Sequence, residues 1–236
     1  MKKNKILFFT GAGVSAESGL ATFRDSKDGL WNNYQIEDVC TPEAWARDNK
    51  LVLDFYNFRR KECKNANPNL AHFKIAELTD FFDVVVVTQN VDNLHERAGT
   101  NKIIHLHGEL MKSRSSIDDS LIYKQEEDIN IGDFCEKGSQ LRPHIVWFGE
   151  SLDQTKMNQA IACVKECDVC VIVGTSLNVS PANMIPFYLP NDAQLIVIDP
   201  NEINNHFLEI ANYTHLKKSA TDGMQEVFNR LIKNFS

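Results

Sequence analysis

The 236-residue chain has no long apolar run, no excess of positive charge and no regular spacing of cysteines. No stretch approaches the ~20 apolar residues of a membrane-spanning helix, and the apolar run 6–9 is too short for the core of a signal peptide. A formal net charge of −7 argues against nucleic acid and anionic membranes as partners, because both bind basic faces. We therefore expect neither a nucleic-acid partner nor a membrane.

The six cysteines also lack the pattern of a disulfide framework. In a chain of this size without a secretion signal they are most simply reduced thiols, so we expect a cytoplasmic protein. Cys163, Cys167 and Cys170 stand close together in sequence, across the end of a predicted helix and the start of a predicted strand. Their side chains should diverge there, which favours buried thiols over a metal or redox site.

Short apolar runs alternate with helical patterns along the chain. The apolar runs are residues 6–9, 84–87, 169–173 and 195–198, and the helical patterns are residues 42–61, 70–78, 156–167 and 223–235. Each apolar run is continuous rather than alternating, which is typical of strands covered on both faces of a parallel sheet. The sequence therefore predicts an α/β fold with a Rossmann-like, doubly wound parallel sheet and right-handed crossovers.

Two segments interrupt this alternation. The polar segment 109–141 has only weak strand signals, at residues 121–124, and segment 18–64 leaves the sheet after the first turn. We predict that these two segments form a small inserted lobe within a single domain spanning 1–236. The Rossmann-like part would consist of residues 1–17, 65–108 and 142–236.

A glycine-rich turn, Gly11-Ala12-Gly13, follows the first predicted strand. Such a turn can place backbone amides and a helix N-terminus against a pyrophosphate. The third glycine of the usual dinucleotide fingerprint is missing, since Ala16 stands in its place. A tight turn without any cofactor therefore explains these residues as well as dinucleotide binding does.

Polar residues also follow the second predicted strand. Gln89, Asn90 and Asp92 come after it, at the carboxyl edge where ligands of open α/β sheets bind. An Asx turn would account for one such residue but not for all three. Further along, His107 could act as a base because its unperturbed pKa is about 6.5, although a lone histidine is more often structural.

Five blocks of sequence together resemble the sirtuins, the NAD-dependent protein deacylases. The blocks are residues 11–24 with 29–31, 88–95, 105–110, 142–150 and 174–177. They occur in the family's order and spacing, cover essentially the whole chain and are most similar to the compact bacterial branch. The resemblance implies that NAD is consumed as a co-substrate and that acylated lysine-containing proteins or peptides are the partners.

The resemblance also implies which residues form the site. His107, Asn90 and Asp92 would be catalytic. NAD would be bound by Gly11, Ala12, Gly13, Ser15, Glu17, Thr22, Phe23, Arg24, Trp31, Gln89, Asn90, Asp92, Gly174, Thr175, Ser176, Asp199, Asn201 and Ala220. The substrate peptide would add as a strand between one edge formed by Val146, Trp147, Phe148, Gly149 and Glu150 and another that includes Val179. Asp199 stands where the family usually has asparagine, and its charge would favour NAD over NADP.

The implied chemistry moves an acyl group from lysine to ADP-ribose. Nicotinamide leaves NAD as the acyl-lysine oxygen attacks the ribose, and His107 then acts as a general base on a ribose hydroxyl. The products would be nicotinamide, free lysine and O-acyl-ADP-ribose. ADP-ribosyl transfer or NAD hydrolysis would use the same pocket, and a non-catalytic NAD-sensing protein is a third possibility. The retained peptide segments and His107 favour deacylation.

Tyr56 and Arg59 lie three residues apart on a predicted helix and so share a face. The pair is similar to that of sirtuins that remove malonyl, succinyl or glutaryl groups. A guanidinium can bind a carboxylate bidentately, and the tyrosine hydroxyl can assist it. The alternative is an ordinary solvated arginine beside a packed tyrosine. We predict a deacetylase with desuccinylase and demalonylase activity, in which both residues bind substrate.

The chain departs from the family at the zinc site. The resemblance implies two Cys-x-x-Cys pairs in the inserted lobe. The expected positions of the first pair hold Ser115 and Asp118, and those of the second hold Phe134 and Lys137, with Cys135 one position away. We therefore expect no zinc and a lobe held together by packing alone.

Overall fold

A computed structural model of the protein describes residues 4–20, 34–203, 208 and 212–235. The strands of these ranges are β1 (Lys5–Thr10), β2 (Asp83–Thr88), β3 (Ile103–His105), β4 (Gly108–Ser115), β5 (Ile122–Lys124), β6 (Leu141–Ile145), β7 (Val169–Val173), β8 (Gln194–Ile198) and β9 (Thr214–Leu216). The helices are α1 (Gly13–Ala16), α2 (Ile36–Val39), α3 (Pro42–Arg47), α4 (Asn49–Asn65), α5 (Leu70–Glu77), α6 (Leu94–Arg97), α7 (Gln154–Lys165) and α8 (Ala220–Phe235). Short 3₁₀ turns lie at Leu78–Asp80 and Ala182–Tyr188. None of the helices in the described ranges is long and apolar enough to cross a membrane.

The main sheet has six parallel strands in the order β3-β2-β1-β7-β8-β9. This confirms the predicted α/β fold, and the four apolar runs are the strands β1, β2, β7 and β8. The edge strands β3 and β9 contain three residues each, too few to give a recognisable apolar run. The chain order reverses between β1 and β7, so the crevice at their carboxyl ends is the topological switch point.

Continuous apolar strands are explained by cores on both faces of the sheet. Along β1, Ile6 and Phe8 belong to one apolar cluster with residues of α5 and α8, whereas Leu7 and Phe9 belong to another with residues of α7. Successive side chains of a strand point to opposite faces, so both faces of β1 are apolar from Ile6 to Phe9. Burial of this central strand holds the turn after it in place.

The helical pattern over 42–61 corresponds to two helices in the structure. Thr41 caps α3, accepting a hydrogen bond from the Ala44 amide, and Pro42 begins that helix. Asp48 ends α3 and caps α4, where its carboxylate accepts from the Leu51 amide at 2.9 Å. An aspartate that satisfies the amides of a new helix favours a break at that point.

A second, antiparallel sheet has the order β5-β4-β6. It extends to Ile145 at the end of β6, past the limit predicted at residue 141. A third apolar cluster joins this sheet to α4 and contains Tyr56, Leu110 and Trp147. The small sheet and the helices of segment 34–65 therefore share a core. The limits of the two lobes remain a prediction.

Candidate active site

The turn after β1 packs directly against the turn after β7. The Gly11 amide donates to the Val173 carbonyl at 3.0 Å, and the Gly13 amide donates to the Gly174 carbonyl at 2.9 Å. A Cβ on Gly13 would lie 2.6 Å from the Cα of Gly174, so no side chain fits there. The sequence suggested these amides as pyrophosphate donors. The Gly11 and Gly13 amides are bonded to the neighbouring turn, and the role of these residues at a cofactor stays a prediction.

Ser15 joins two of the predicted catalytic residues. Its hydroxyl donates to Asp92 Oδ2 at 3.0 Å and accepts from Asn90 Nδ2 at 3.1 Å, and all three side chains are buried. Burial raises the pKa of the Asp92 carboxyl, and hydrogen bonds from Leu94 and Ser15 oppose this rise. The first turn and the loop after β2 therefore meet in one polar cluster.

A histidine that the sequence motifs did not indicate, His72, contacts this cluster through Ser15. His72 Nε2 lies 3.5 Å from Ser15 Oγ, and His72 forms a capping box with Asn69 at the start of α5. Because Ser15 gives its one hydroxyl proton to Asp92, the imidazole must donate to Ser15. Burial lowers the pKa of His72 to about 4, so the ring is neutral at pH 7. The signal for this residue was its place three positions after Asn69, a capping-box spacing.

Other predicted cofactor residues lie at the same edge of the sheet. Gln89 Nε2 donates to Thr175 Oγ1 at 2.9 Å, which joins the loops after β2 and β7. Beyond β8, the Asp199 carboxylate accepts from the Asn201 amide at 2.9 Å. Glu17 contacts the start of α8, where its carboxylate accepts from the amide and hydroxyl of Thr221. Glu17 therefore caps a helix that begins at Ala220, another predicted cofactor residue.

His107 lies in the bend between β3 and β4. Gly108 turns the backbone with a φ of +89°, and a Cβ there would lie 2.1 Å from the His144 carbonyl oxygen. His107 Nδ1 donates to the Gln89 carbonyl at 3.0 Å. Burial lowers the pKa of His107, although the Gln89 bond opposes the fall. A neutral ring that donates through Nδ1 keeps its lone pair on Nε2, as a base requires.

The segment predicted to bind a peptide runs alongside His107. The Val146 amide donates to the His107 carbonyl at 3.0 Å, and the Phe148 amide donates to the Cys40 carbonyl at 3.0 Å. Trp147 is buried at 2% exposure, whereas Phe148 is 44% exposed and Val179 is 38% exposed. Phe148 and Val179 are therefore the apolar side chains of the two predicted edges that reach the surface.

Glu150 has a structural place in this segment. Its carboxylate pairs with Arg142 at 2.7 Å and Arg114 at 3.2 Å, and it accepts from the Trp147 amide at 2.8 Å. The Arg142 guanidinium also lies 3.2 Å from the centre of the Trp147 ring. Burial would raise the pKa of Glu150, but the arginines and these hydrogen bonds lower it. Glu150 therefore fixes Trp147, and its predicted contact with a peptide stays a prediction.

Comparisons with known proteins agree with this geometry. The model of the Sir2 family matches residues 11–181. The chain belongs to the Sir2 family. It is 45% identical over 228 residues to an NAD-dependent protein deacylase of Helicobacter pylori, covering 97% of each chain. The resemblance seen in the sequence is thereby confirmed.

Solved structures of the family superpose on nearly the whole chain. A Sir2 homologue in complex with NAD matches with a TM-score of 0.87 and 39% identity, covering 99% of this chain and 91% of that one. A complex of Sir2 with a p53 peptide and NAD⁺ matches with a TM-score of 0.77 and 26% identity, covering 97% and 93%. Thr22, Phe23, Arg24 and Trp31, which the sequence assigned to NAD, lie outside the described residues.

Tyr56 and Arg59 lie on α4, and Tyr56 packs in the apolar cluster that joins this helix to the small sheet. The buried Tyr56 hydroxyl accepts from Trp147 Nε1 at 3.1 Å and contacts Cys40 Sγ at 3.3 Å. Arg59 pairs with Glu62 at 3.1 Å, and its charge opposes the rise in the pKa of the Cys40 thiol that burial causes. Tyr56 therefore contacts Cys40 and, through Trp147, the predicted peptide segment.

The tip of the small lobe, around Ser115 and Cys135, does not have the ligands of the zinc site that the resemblance to the family implies. Ser115 Oγ lies 2.8 Å from Ser139 Oγ and 3.4 Å from Cys135 Sγ, and Asp118 pairs with Lys137 at 2.6 Å. Cys135, rather than the neighbouring residue 134, thus stands opposite Ser115. One thiol and a carboxylate held by a lysine are a poor ligand set for zinc. Hydrogen bonds and an ion pair hold this tip, so the prediction of packing alone is wrong.

Treatment with a strong chelator should leave the melting temperature and the turnover of the protein unchanged, because hydroxyls and one thiol replace the usual ligands at this tip. Differential scanning calorimetry before and after dialysis against chelator measures the first, and elemental analysis of the purified protein measures bound zinc. One zinc per chain whose removal lowers the melting temperature would contradict this expectation.

Proposed function

We propose that the chain is an NAD-dependent protein-lysine deacylase that forms nicotinamide and O-acyl-ADP-ribose. The observation that carries the proposal is the meeting of Asn90, Asp92 and His107 at one edge of the sheet, beside a segment bonded to His107 itself. A base, a polar pocket and a backbone edge for a peptide are the parts that this reaction needs. The curated relative named as a deacylase, which the chain covers almost completely, supports the same conclusion.

The polar residues at this edge fit NAD. The described part of the pocket offers the Asn90 amide, the Asp92 carboxylate and the Thr175 hydroxyl, all at the carboxyl ends of parallel strands. NAD supplies an anomeric carbon with nicotinamide as a leaving group, together with ribose hydroxyls. We propose that Gly11, Ala12, Gly13, Ser15, Glu17, Gln89, Asn90, Asp92, Gly174, Thr175, Ser176, Asp199, Asn201 and Ala220 form this pocket together with Thr22, Phe23, Arg24 and Trp31.

His107 would serve as the general base and accept a proton at Nε2. Its Nδ1 bond to Gln89 fixes the ring, and burial keeps the ring neutral at pH 7. A peptide added as a strand along residues 146–150 would bring its acyl-lysine towards the pocket. Val179 would border that peptide on its other side. The free cysteines, five of them buried, suit a reducing compartment, so a cytoplasmic location remains part of the proposal.

Mass spectrometry of the products tests this function. An acetyl-lysine peptide incubated with protein and NAD should yield free peptide, nicotinamide and O-acetyl-ADP-ribose in equal amounts. ADP-ribosylated peptide would indicate ADP-ribosyl transfer, and free ADP-ribose formed without peptide would indicate NAD hydrolysis. Either product in place of O-acetyl-ADP-ribose would reject deacylation.

The pH profile should show the base. Because burial lowers the pKa of His107 below 6.5, the neutral form needed for proton abstraction predominates at pH 7 and is lost only in more acidic solution. We expect kcat/KM to be constant around neutrality and to fall as pH drops through a midpoint below 6.5. Initial rates in overlapping buffers measure this, with unfolding excluded by circular dichroism at each pH. A midpoint above 7 would assign the titration to another group.

We further propose that Tyr56 and Arg59 admit acyl groups that end in a carboxylate. Arg59→Met should lower kcat/KM for a succinyl-lysine peptide about 10- to 100-fold, as expected for loss of a hydrogen bond to a charged group. The same peptide carrying acetyl-lysine should change little. Glu62→Gln is the matched control, since it frees Arg59 from its ion pair and should not impair succinyl turnover. Equal losses on both substrates in Arg59→Met would remove the carboxylate role.

A further inference from the structure

The loop that carries Gln89 and Asn90 is held by two histidines. His107 Nδ1 donates to the Gln89 carbonyl at 3.0 Å, and His105 Nδ1 donates to the next carbonyl, that of Asn90, at 2.9 Å. Between them, the Leu106 amide donates to the Thr88 carbonyl at 2.9 Å. Backbone pairing between β2 and β3 ends at Thr88. Imidazole rings replace backbone amides at the next two carbonyls, those of Gln89 and Asn90, and the Leu110 amide bonds the Val91 carbonyl after them.

The two imidazoles differ at their other nitrogen. His105 Nε2 bonds Glu96 at 2.7 Å, and the His105 side chain is only 5% exposed. Burial alone would lower the pKa of His105, but the bond and charge of Glu96, with smaller effects of Asn90 and Glu109, raise it. For His107, burial lowers the pKa and the bond to the Gln89 carbonyl opposes this fall. The partner of the first ring therefore favours its protonated form, whereas burial of the second ring favours its neutral form.

Metal binding is the alternative for this cluster. Among the side chains that the structure describes, Glu96, His105 and Glu109 form the one group of three potential ligands, with their atoms within 4.8 Å of one another. Lys112 lies 2.9 Å from the Glu109 carboxylate, and Lys156 lies 3.9 Å from it. Two ammonium groups already neutralise this side of the cluster and disfavour a divalent cation. An ion pair between Glu96 and His105 accounts for the geometry without a metal.

The Asn90 residue is fixed at three points. Its amide donates to Thr88 Oγ1 at 3.0 Å, its side-chain Nδ2 donates to Ser15 at 3.1 Å, and its carbonyl accepts from His105. The first two contacts come from residues at or next to the pocket. Only the third contact connects Asn90 to the pair of His105 and Glu96, which lies outside the pocket. Loss of that contact frees the peptide plane after Asn90 and, with it, the direction of the side chain.

We propose that His105, held by Glu96, is a positioning residue that fixes Asn90 in the cofactor pocket, an inference that rests on the proposed deacylase function. His105 touches neither cofactor nor peptide in this role. Its effect is on how the NAD that enters the pocket is oriented, so NAD kinetics should respond to changes at His105 more than peptide kinetics do. Misplacement of a reacting group by about 1 Å can lower a rate about 100-fold.

Steady-state kinetics of three variants test the proposal. His105→Leu removes the bond and should lower kcat/KM for NAD about 10- to 100-fold, with little change in KM for the acyl-peptide. His105→Asn retains a donor near the position of Nδ1 and should recover most of this loss. Glu96→Gln replaces a charged partner with a neutral one, so we expect a loss of about 2- to 5-fold. Glu109→Gln is the matched control in the same cluster and should stay near wild type.

The pH profile separates positioning from chemistry. The acid limb of kcat/KM in His105→Asn should keep its wild-type midpoint, because that limb belongs to His107. Wild-type rates in His105→Leu, or no recovery in His105→Asn although both variants melt like wild type, would overturn the proposal. If His105→Leu does not fold, the steady-state kinetics of His105→Asn and Glu96→Gln test the positioning role instead. An inactive wild-type protein would reject the deacylase function, which these variants do not test.

Discussion

Replacement of His107 by alanine should lower acyl-lysine turnover about 100- to 10,000-fold, the usual contribution of a general base. The variant loses the Nε2 lone pair, and it also loses the Nδ1 bond to the Gln89 carbonyl. The fold should remain intact, because the side chain lies at the edge of the pocket and not in an apolar cluster. Release of nicotinamide and O-acyl-ADP-ribose, measured by liquid chromatography, gives the rate.

His107→Asn separates the two losses. Asparagine can place its amide nitrogen near the position of Nδ1 and so retain the bond to Gln89, yet it offers no base. It should therefore be nearly as inactive as the alanine variant while binding NAD like wild type in calorimetry. Substantial activity in His107→Asn would show that the ring only positions the Gln89 loop. The base would then have to be sought elsewhere in the pocket.

Replacement of Glu150 by alanine should lower the free energy of unfolding by about 3–5 kcal/mol, the cost of breaking a buried ion pair. The Glu150 side chain is 19% exposed, and its partners Arg142 and Arg114 are 8% and 10% exposed. Without the carboxylate, two guanidinium groups remain beside each other with no compensating charge from it. Urea denaturation followed by tryptophan fluorescence measures the change, which is large relative to the total stability of a typical domain.

Asp54→Ala is the matched control for this loss. Asp54 pairs with Lys50 on the surface of α4, where the side chains are 56% and 71% exposed, so its removal should cost less than about 1 kcal/mol. If Glu150→Ala unfolds like wild type and only the KM for the acyl-peptide rises, the peptide contact expected from the sequence would be supported and the structural role rejected.

Much of the fold was predictable because central strands that are buried on both faces of the sheet appear in the sequence as continuous apolar runs. A central strand such as β1 needs apolar residues at every position, and it has them from Ile6 to Phe9. The edge strand β3 carries His105 in a three-residue span, so composition gives no signal there. The break in the helix at Asp48 was missed, because helical periodicity continues on both sides of an internal cap.

The sequence predicted the candidate catalytic residues of the site, but not the residues that hold them in place through hydrogen bonds. Asn90, Asp92 and His107 stand within recognisable motifs, and the structure brings the first two together through Ser15. The contact of His72 with Ser15 joins residues 57 positions apart, so the capping-box spacing marks His72 as part of a helix start but does not indicate this contact. The pairing of Glu150 with Arg142 was available in sequence, eight positions apart, but charge alone does not distinguish a buried pair from a peptide contact.

The bonding of the glycine turn sets the order in which the site can form as the chain is synthesised. Gly11 and Gly13 receive their hydrogen-bond partners only when Val173 and Gly174 have been made. The hydrogen bonds of Glu17 form later still, because its partner Thr221 lies 204 positions further along the chain. Since domains of this size fold largely as units and distant contacts form late, a nascent chain that ends before α8 should leave the ribosome exit without a finished cofactor pocket. NAD would then stabilise only chains that already include α8.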